Sequence, residues 1–235
     1  MAAGRRAAAA ALLLACSSLA YAGVVLDTPA AFLEANSDEY QCMWALLERT
    51  GLTDALASSD LSNTYFLPSD AAFITDLAQS VSTDAAGADL TVEQVVAMID
   101  AMPGDAAVQL LKAHVSPTNY PSVSALAFPS GVPAAAADPF GDTPTQPTIK
   151  NSLGQDVSVV YEAPYHALHL DVPGPNGLIA SSAYVAGPAA VNTGDSTVYI
   201  LLNVLGDPTL ITNSGVAAQA VNSTAQAGGD DSWLH

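Results

Sequence analysis

The stretch Tyr165–Asp171, Tyr-His-Ala-Leu-His-Leu-Asp, carries the densest chemistry in the chain. Two imidazoles and a carboxylate this close together could hold a divalent metal or move a proton. Spacing decides whether they can act together. In a strand, side chains alternate between faces, so His169 and Asp171 share one face and His166 takes the other. In a helix, His166 and His169 would be neighbours. Pro164 and Pro173 flank the segment and argue against a helix. The strand reading therefore joins only two ligand-type groups, and a metal would need further ligands from elsewhere. His166, His169 and Asp171 are expected to be alternating residues of a surface strand, with metal binding or catalysis as the alternative.

Three other positions carry a reactive or recognisable group. Cys42 sits in a helix-like run with no neighbouring base or ligand pattern, so it reads as a small hydrophobe, half-buried. The sharper alternative is a free or intermolecular thiol. His114 has no second ligand or carboxylate near it in sequence, and is expected to be packed and hydrogen-bonded. Asn222-Ser223-Thr224 is an N-glycosylation sequon. The chain has no G-x-S-x-G elbow, no P-loop, no G-x-G-x-x-G and no H-E-x-x-H. No catalytic residue and no cofactor is expected.

Charge narrows the partners. The 235 residues include 23 acids and 5 bases, a net charge of −18. Arg5 and Arg6 precede an Ala/Leu run, Ala7–Ala15, that is too short to span a bilayer. Ala20-Tyr21-Ala22 then gives a small-x-small cleavage site, so residues 1–22 read as a secretory signal with Gly23 as the mature start. Leu13-Leu14-Ala15-Cys16 offers a competing reading, a bacterial lipobox acylated at Cys16. Removing the signal leaves Arg49, Lys112 and Lys150 as the bases, with Cys42 as the one thiol. No internal disulfide can form in such a chain. Nucleic acid and anionic membranes are poor partners for so acidic a surface; basic proteins and cations are better ones.

The elements that must position these residues can be read in order. Thr28–Asn36 is helical, with Pro29 at the first position. Ser37 is placed to cap the next helix, where Tyr40, Met43, Trp44 and Leu47 share one face and Gly51 stops the run. Leu52–Leu56 makes a short turn. Thr64–Leu67 alternates as a strand, Pro68 ends it, and Ser69 and Asp70 open a helix that runs to Val81. Thr91 caps another helix, which breaks at Pro103-Gly104; Asp105 is placed to cap the one ending at His114. Residues 116–148 form a Pro/Ala-rich excursion. Strands are expected at Thr148–Asn151, Val157–Tyr161, Ala167–Asp171 and Ala183–Ala186. Val198–Leu205 is almost wholly apolar, as for a central strand covered on both faces. Residues 211–235 read as a flexible polar tail, and no apolar segment follows Asn222, so a lipid anchor added there is not expected.

Thr64–Phe73, Thr-Tyr-Phe-Leu-Pro-Ser-Asp-Ala-Ala-Phe, resembles the first conserved box of fasciclin (FAS1) domains, through Thr64, Phe66, Pro68, Asp70, Ala72 and Phe73. Leu110, Leu111, His114 and Val115 resemble the family's helix before its Tyr-His pair, although Ala113 replaces the Tyr. Val198, Ile200, Val204, Leu205 and Pro208 resemble the second box, with Tyr199 in place of its His. The resemblance implies an α+β fold, a twisted β-sheet wedge or sandwich packed with several short helices, and a single domain over 23–210. It implies a secreted protein that mediates cell adhesion or matrix contacts by binding an extracellular protein or glycan, with weak homophilic association among the options. His114 is the interaction or structural candidate. The positions matching the family's integrin-recognition pair are Ala189 and Ala190, so integrin binding is not carried over.

Overall fold

Local caps start or stop several of the helices. In a computed structural model, residues 26–58, 60–81, 90–127, 147–162, 167–174, 179–186 and 190–212 are described. Helix α1 (Pro29–Ala35) begins where the Thr28 hydroxyl accepts from Ala31 N–H at 3.1 Å. Helix α2 (Gln41–Thr50) ends at Gly51, which takes the left-handed conformation at φ 67°. A short α3 (Thr53–Ala57) leads to strand β1 (Thr64–Pro68). Helix α4 (Asp70–Val81) follows at once, with the Ser69 hydroxyl accepting from Ala72 N–H. Helix α5 (Val92–Asp100) starts with a reciprocal capping box between Thr91 and Gln94, an arrangement that contributes about 1 kcal/mol. Helix α6 (Gly104–Ala113) ends at His114.

Strand β2 (Val115–Ser116) and helix α7 (Val123–Ala127) follow. Then come β3 (Thr148–Lys150), β4 (Asp156–Glu162), β5 (Ala167–Pro173), β6 (Ile179–Tyr184), β7 (Val191–Thr193), β8 (Ser196–Leu201) and helix α8 (Thr209–Thr212). The strands form two sheets of four, ordered β2-β1-β8-β7 and β3-β4-β5-β6. β1 and β8 run parallel at the centre of the first sheet, with Phe66 opposite Tyr199. The second sheet is antiparallel throughout. A bridge between Val185 and Leu201 joins the two at a corner.

The central strands face two cores at once. Tyr65, Leu67 and Val198 pack with the helices, among Phe32, Met43, Leu46, Phe73 and Met98. Phe66, Tyr199 and Leu201 turn the other way, onto Val157, Val159, Leu168 and Leu170 of the second sheet. Phe66 and Tyr199 stack with ring centroids 5.8 Å apart. Each such burial contributes about 1.5–3 kcal/mol. The fold is α+β with both faces of β8 covered, as the sequence led us to expect.

Several local expectations need correction. Ser37 does not cap α2: the cap position is Tyr40, and no side chain of its own segment bonds the helix start. Asp105 lies in the first turn of α6, behind a cap at Pro103. Residues 116–148 are not all excursion, since they begin in β2, contain α7 and end in β3; residues 128–146 lie outside the described residues. The last strand of the second sheet is Ile179–Tyr184, earlier than Ala183–Ala186. β8 stops at Leu201, not Leu205. The tail boundary at 211 also moves, because Ile211 is buried within α8.

Candidate functional site

The histidine-rich stretch is strand β5, so its side chains alternate. Leu168, Leu170 and Val172 point into the second core. His169 and Asp171 take the opposite face, with His169 Nε2 3.5 Å from Asp171 Oδ2. Across the sheet, Asp171 is in register with Ser158 and Ser182, and His169 with Val160 and Tyr184. The His169 and Tyr184 rings lie 5.1 Å apart at 60°. Asp171 Oδ1 is buried without a hydrogen-bond partner among the described residues. Among the described residues no three His, Cys, Asp or Glu side chains are placed to hold one metal ion. His166 lies outside the described residues, as do Cys16, Ala189 and Asn222.

His114 is brought to a different place. Its side chain is fully buried, and both ring nitrogens are engaged. Leu205 N–H donates to Nε2 at 2.9 Å, and Nδ1 lies 2.9 Å from the Leu110 carbonyl. Nε2 must therefore be the bare acceptor, and Nδ1 carries the proton that it donates to Leu110. The helix C-terminus is capped by the ring, while the His114 carbonyl accepts from Phe66 N–H at 2.8 Å. Burial pushes the imidazole pKa down to about 4, and the Leu110 bond offsets this only in part. The ring is neutral at pH 7.

Leu205 belongs to a segment that three elements hold. Asp76 on α4 accepts from Val204 N–H at 2.6 Å and from the Asn203 side chain at 2.9 Å. Ser181 on β6 accepts from Gly206 N–H and donates to the Val204 carbonyl. Past Leu202, whose N–H donates to the Tyr184 carbonyl of β6, the amides of Val204, Leu205 and Gly206 bond side chains rather than a strand, so β8 does not run on to Leu205. Burial raises the Asp76 carboxyl pKa, partly offset by those two donors. Sequence reasoning missed Asp76 and Ser181, which have no local signature.

Asp70 explains the missing cap of α2. Its carboxylate accepts from Gln41 N–H at 3.1 Å and from Cys42 N–H at 2.8 Å. It thus serves the positive end of α2 as well as standing at the start of α4. Cys42 is wholly buried beneath it, not half-buried. Burial, and then the Asp70 charge, push the thiol pKa far up, so no thiolate forms at pH 7.

A concave feature lies on the outer side of α2. Gln41, Trp44, Ala45 and Glu48 form one helix face there, and Trp44 is only half-buried. Leu33 and Glu34 of α1 and Val96 of α5 complete a groove of about 630 Å³.

The structure is a two-core α+β fold whose buried polar groups clamp its own backbone. The family model for the fasciclin domain matches residues 38–159, more than half of the chain, and the protein belongs to that family. The match takes in β1, the His114 helix and most of β4. Among solved structures, the chain resembles a FAS1 domain pair from the insect cell adhesion molecule Fasciclin I. The TM-score is 0.51 at 14% identity, over 80% of this chain and 54% of that one. The chain thus spans about half the length of that domain pair, and at this identity the likeness shows the fold. A search of curated proteins finds no match. Fasciclin domains are a non-enzymatic, adhesion-type family that occurs in extracellular and cell-surface proteins. No helix among the described residues is long and apolar enough to cross a membrane.

Proposed function

We propose that the chain is a secreted, single-domain adhesion protein that binds an extracellular protein or glycan. In this reading residues 1–22 direct export, the domain runs from residue 23 through α8, and Asn222 carries a glycan. The observation that carries it is membership of the fasciclin family across β1 and the His114 helix. The site geometry supports it: His114, Asp70 and Asp76 are spent on backbone amides and carbonyls, so recognition falls to the surface. That surface is strongly acidic.

The test begins with the protein purified from its native source. N-terminal sequencing should find Gly23, and intact mass should show added hexose. A lipidated Cys16 would instead place the same domain on a bacterial envelope. Purified protein on beads is then offered to intact cells, to isolated matrix and to other coated beads. Saturable attachment lost after protease treatment of the target indicates a protein partner, and loss after glycosidase indicates a glycan. Bead-to-bead clustering indicates homophilic contact. No saturable attachment to any of the three refutes the reading.

A further inference from the structure

Helix α2 has two unlike sides. Cys42, Met43, Leu46 and Leu47 are sealed in the helical core. Gln41, Trp44 and Glu48, at i, i+3 and i+7, face outward as one wall of the groove, with buried Ala45 at their base. Its volume, about 630 Å³, is in the range of sites that take a small organic group. The lining combines apolar surface from Leu33, Ala45 and Val96 with an indole and two carboxylates, Glu34 and Glu48. The indole is tied in place, because Trp44 Nε1 donates to Glu48 Oε1 at 3.1 Å.

Neither Glu34 nor Glu48 is in an ion pair among the described residues. Arg49, on the next turn, is turned away and donates twice to the Met102 carbonyl. Lys150 is paired with Asp156 on β3 and β4.

We propose that this groove binds an arginine side chain presented by a basic partner protein. A guanidinium is planar and weakly hydrated, so it stacks on an indole while its forked N–H groups reach carboxylates. An anion would be repelled by Glu34 and Glu48. A hard metal ion would want oxygen ligands on several sides and leave the apolar walls unused. The net charge of −18 adds long-range attraction for a basic partner. The inference rests on the adhesion reading and names the chemistry of its partner.

The probe is a blocked Gly/Ser peptide with one central arginine, beside a twin carrying neutral citrulline. Trp44 and Trp233 are the two tryptophans, so Trp233→Phe makes Trp44 the sole indole reporter. The arginine peptide should change Trp44 fluorescence saturably, and its twin should bind at least about tenfold more weakly. The Glu34→Gln/Glu48→Gln protein should lose at least about tenfold in affinity. A control with the same charge removed at residues that do not line the groove, Asp54→Asn/Asp60→Asn, should shift it by less than about twofold, because salt screens exposed charges that make no direct contact with the guanidinium. Equal binding of the two peptides, equal loss in both double variants, or no response overturns the proposal. Amide shifts in the unsubstituted protein give a second reading: changes centred on Trp44, Ala45 and Val96 support it, and changes centred elsewhere overturn it. The bead assay separates this proposal from its parent. Attachment that survives Glu34→Gln/Glu48→Gln overturns the groove and leaves adhesion standing. Absence of attachment by the unsubstituted protein overturns adhesion itself.

Discussion

Acidification should cost this protein stability through His114 before its carboxylates titrate in bulk. The unfolded imidazole has a pKa near 6.5, and the folded one is pushed down to about 4 by burial. Between those values the unfolded chain binds a proton that the folded chain refuses, so stability falls as pH falls. The loss from this one ring is negligible at pH 7, about 2 kcal/mol at pH 5, and levels at about 3 kcal/mol below pH 4. Asp76 works in the opposite sense, since its folded pKa is raised and protonation favours the folded form. The comparison must therefore isolate the histidine. Urea unfolding at constant ionic strength is measured for the unsubstituted protein and for His114→Gln, which keeps an acceptor for Leu205 N–H but does not titrate. The variant starts less stable at pH 7, and the gap should narrow by about 2 kcal/mol by pH 5. A gap that stays constant would refute the sealed, neutral ring. Should the variant not fold, nitrogen-detected NMR of the unsubstituted protein answers the same question. His114 should show a protonated Nδ1 and a bare Nε2 at pH 7, with no titration above pH 5.

Three further outcomes follow from particular contacts. Asp76→Ala leaves the buried Val204 amide without its acceptor and should cost about 1–3 kcal/mol in urea unfolding, with Asp76→Asn losing less. Gly194→Ala should destabilise far more than Gly51→Ala: both glycines have positive φ, but a Cβ at 194 would lie 2.6 Å from the Asp27 carbonyl oxygen, while Gly51 faces open space. Thermal melts should show a cost of about 1 kcal/mol at Gly51 and at least about twice that at Gly194. Cys42 should react with a thiol reagent at least about a hundredfold more slowly in the folded protein than in urea, since neither thiolate nor access exists in the fold.

Contacts that act within one turn were legible in the sequence, and contacts that act across the chain were not. Thr91 caps one helix and Gly51 stops another within a single turn, so residue type and spacing sufficed. The alternation of Thr64–Leu67 correctly divided Phe66 from Tyr65 and Leu67, because period two is a property of the backbone. Asp70 was read only for its own helix. Its bonds to Gln41 and Cys42 span 29 and 28 residues, a distance at which spacing carries no signal. Asp76 reaches 128 residues to Val204, and among 23 acids nothing marks it as the buried one. The apolar run through Leu205 looked like one long strand because hydrophobicity reports burial, not hydrogen-bonding partner. Val204 and Leu205 are indeed buried, in different cores, after the strand has ended. The groove was invisible for a related reason: Trp44 fits the core face of α2 by spacing, and only the placement of α1 and α5 leaves it half open.

The parallel pairing of β1 with β8 also sets the order in which the chain can fold. Thr64 meets Thr197 and Pro68 meets Leu201, so the centre of the first sheet waits until residues 197–201 have been made. The helical core waits as well, because Val198 and Val204 are part of it. Contacts this distant in sequence close slowly, and the segments before them stay exposed meanwhile. Until β8 is made, β1 has only the two-residue β2 beside it. Such a chain remains threadable until β8 has emerged, and the first sheet commits to its shape in one late step.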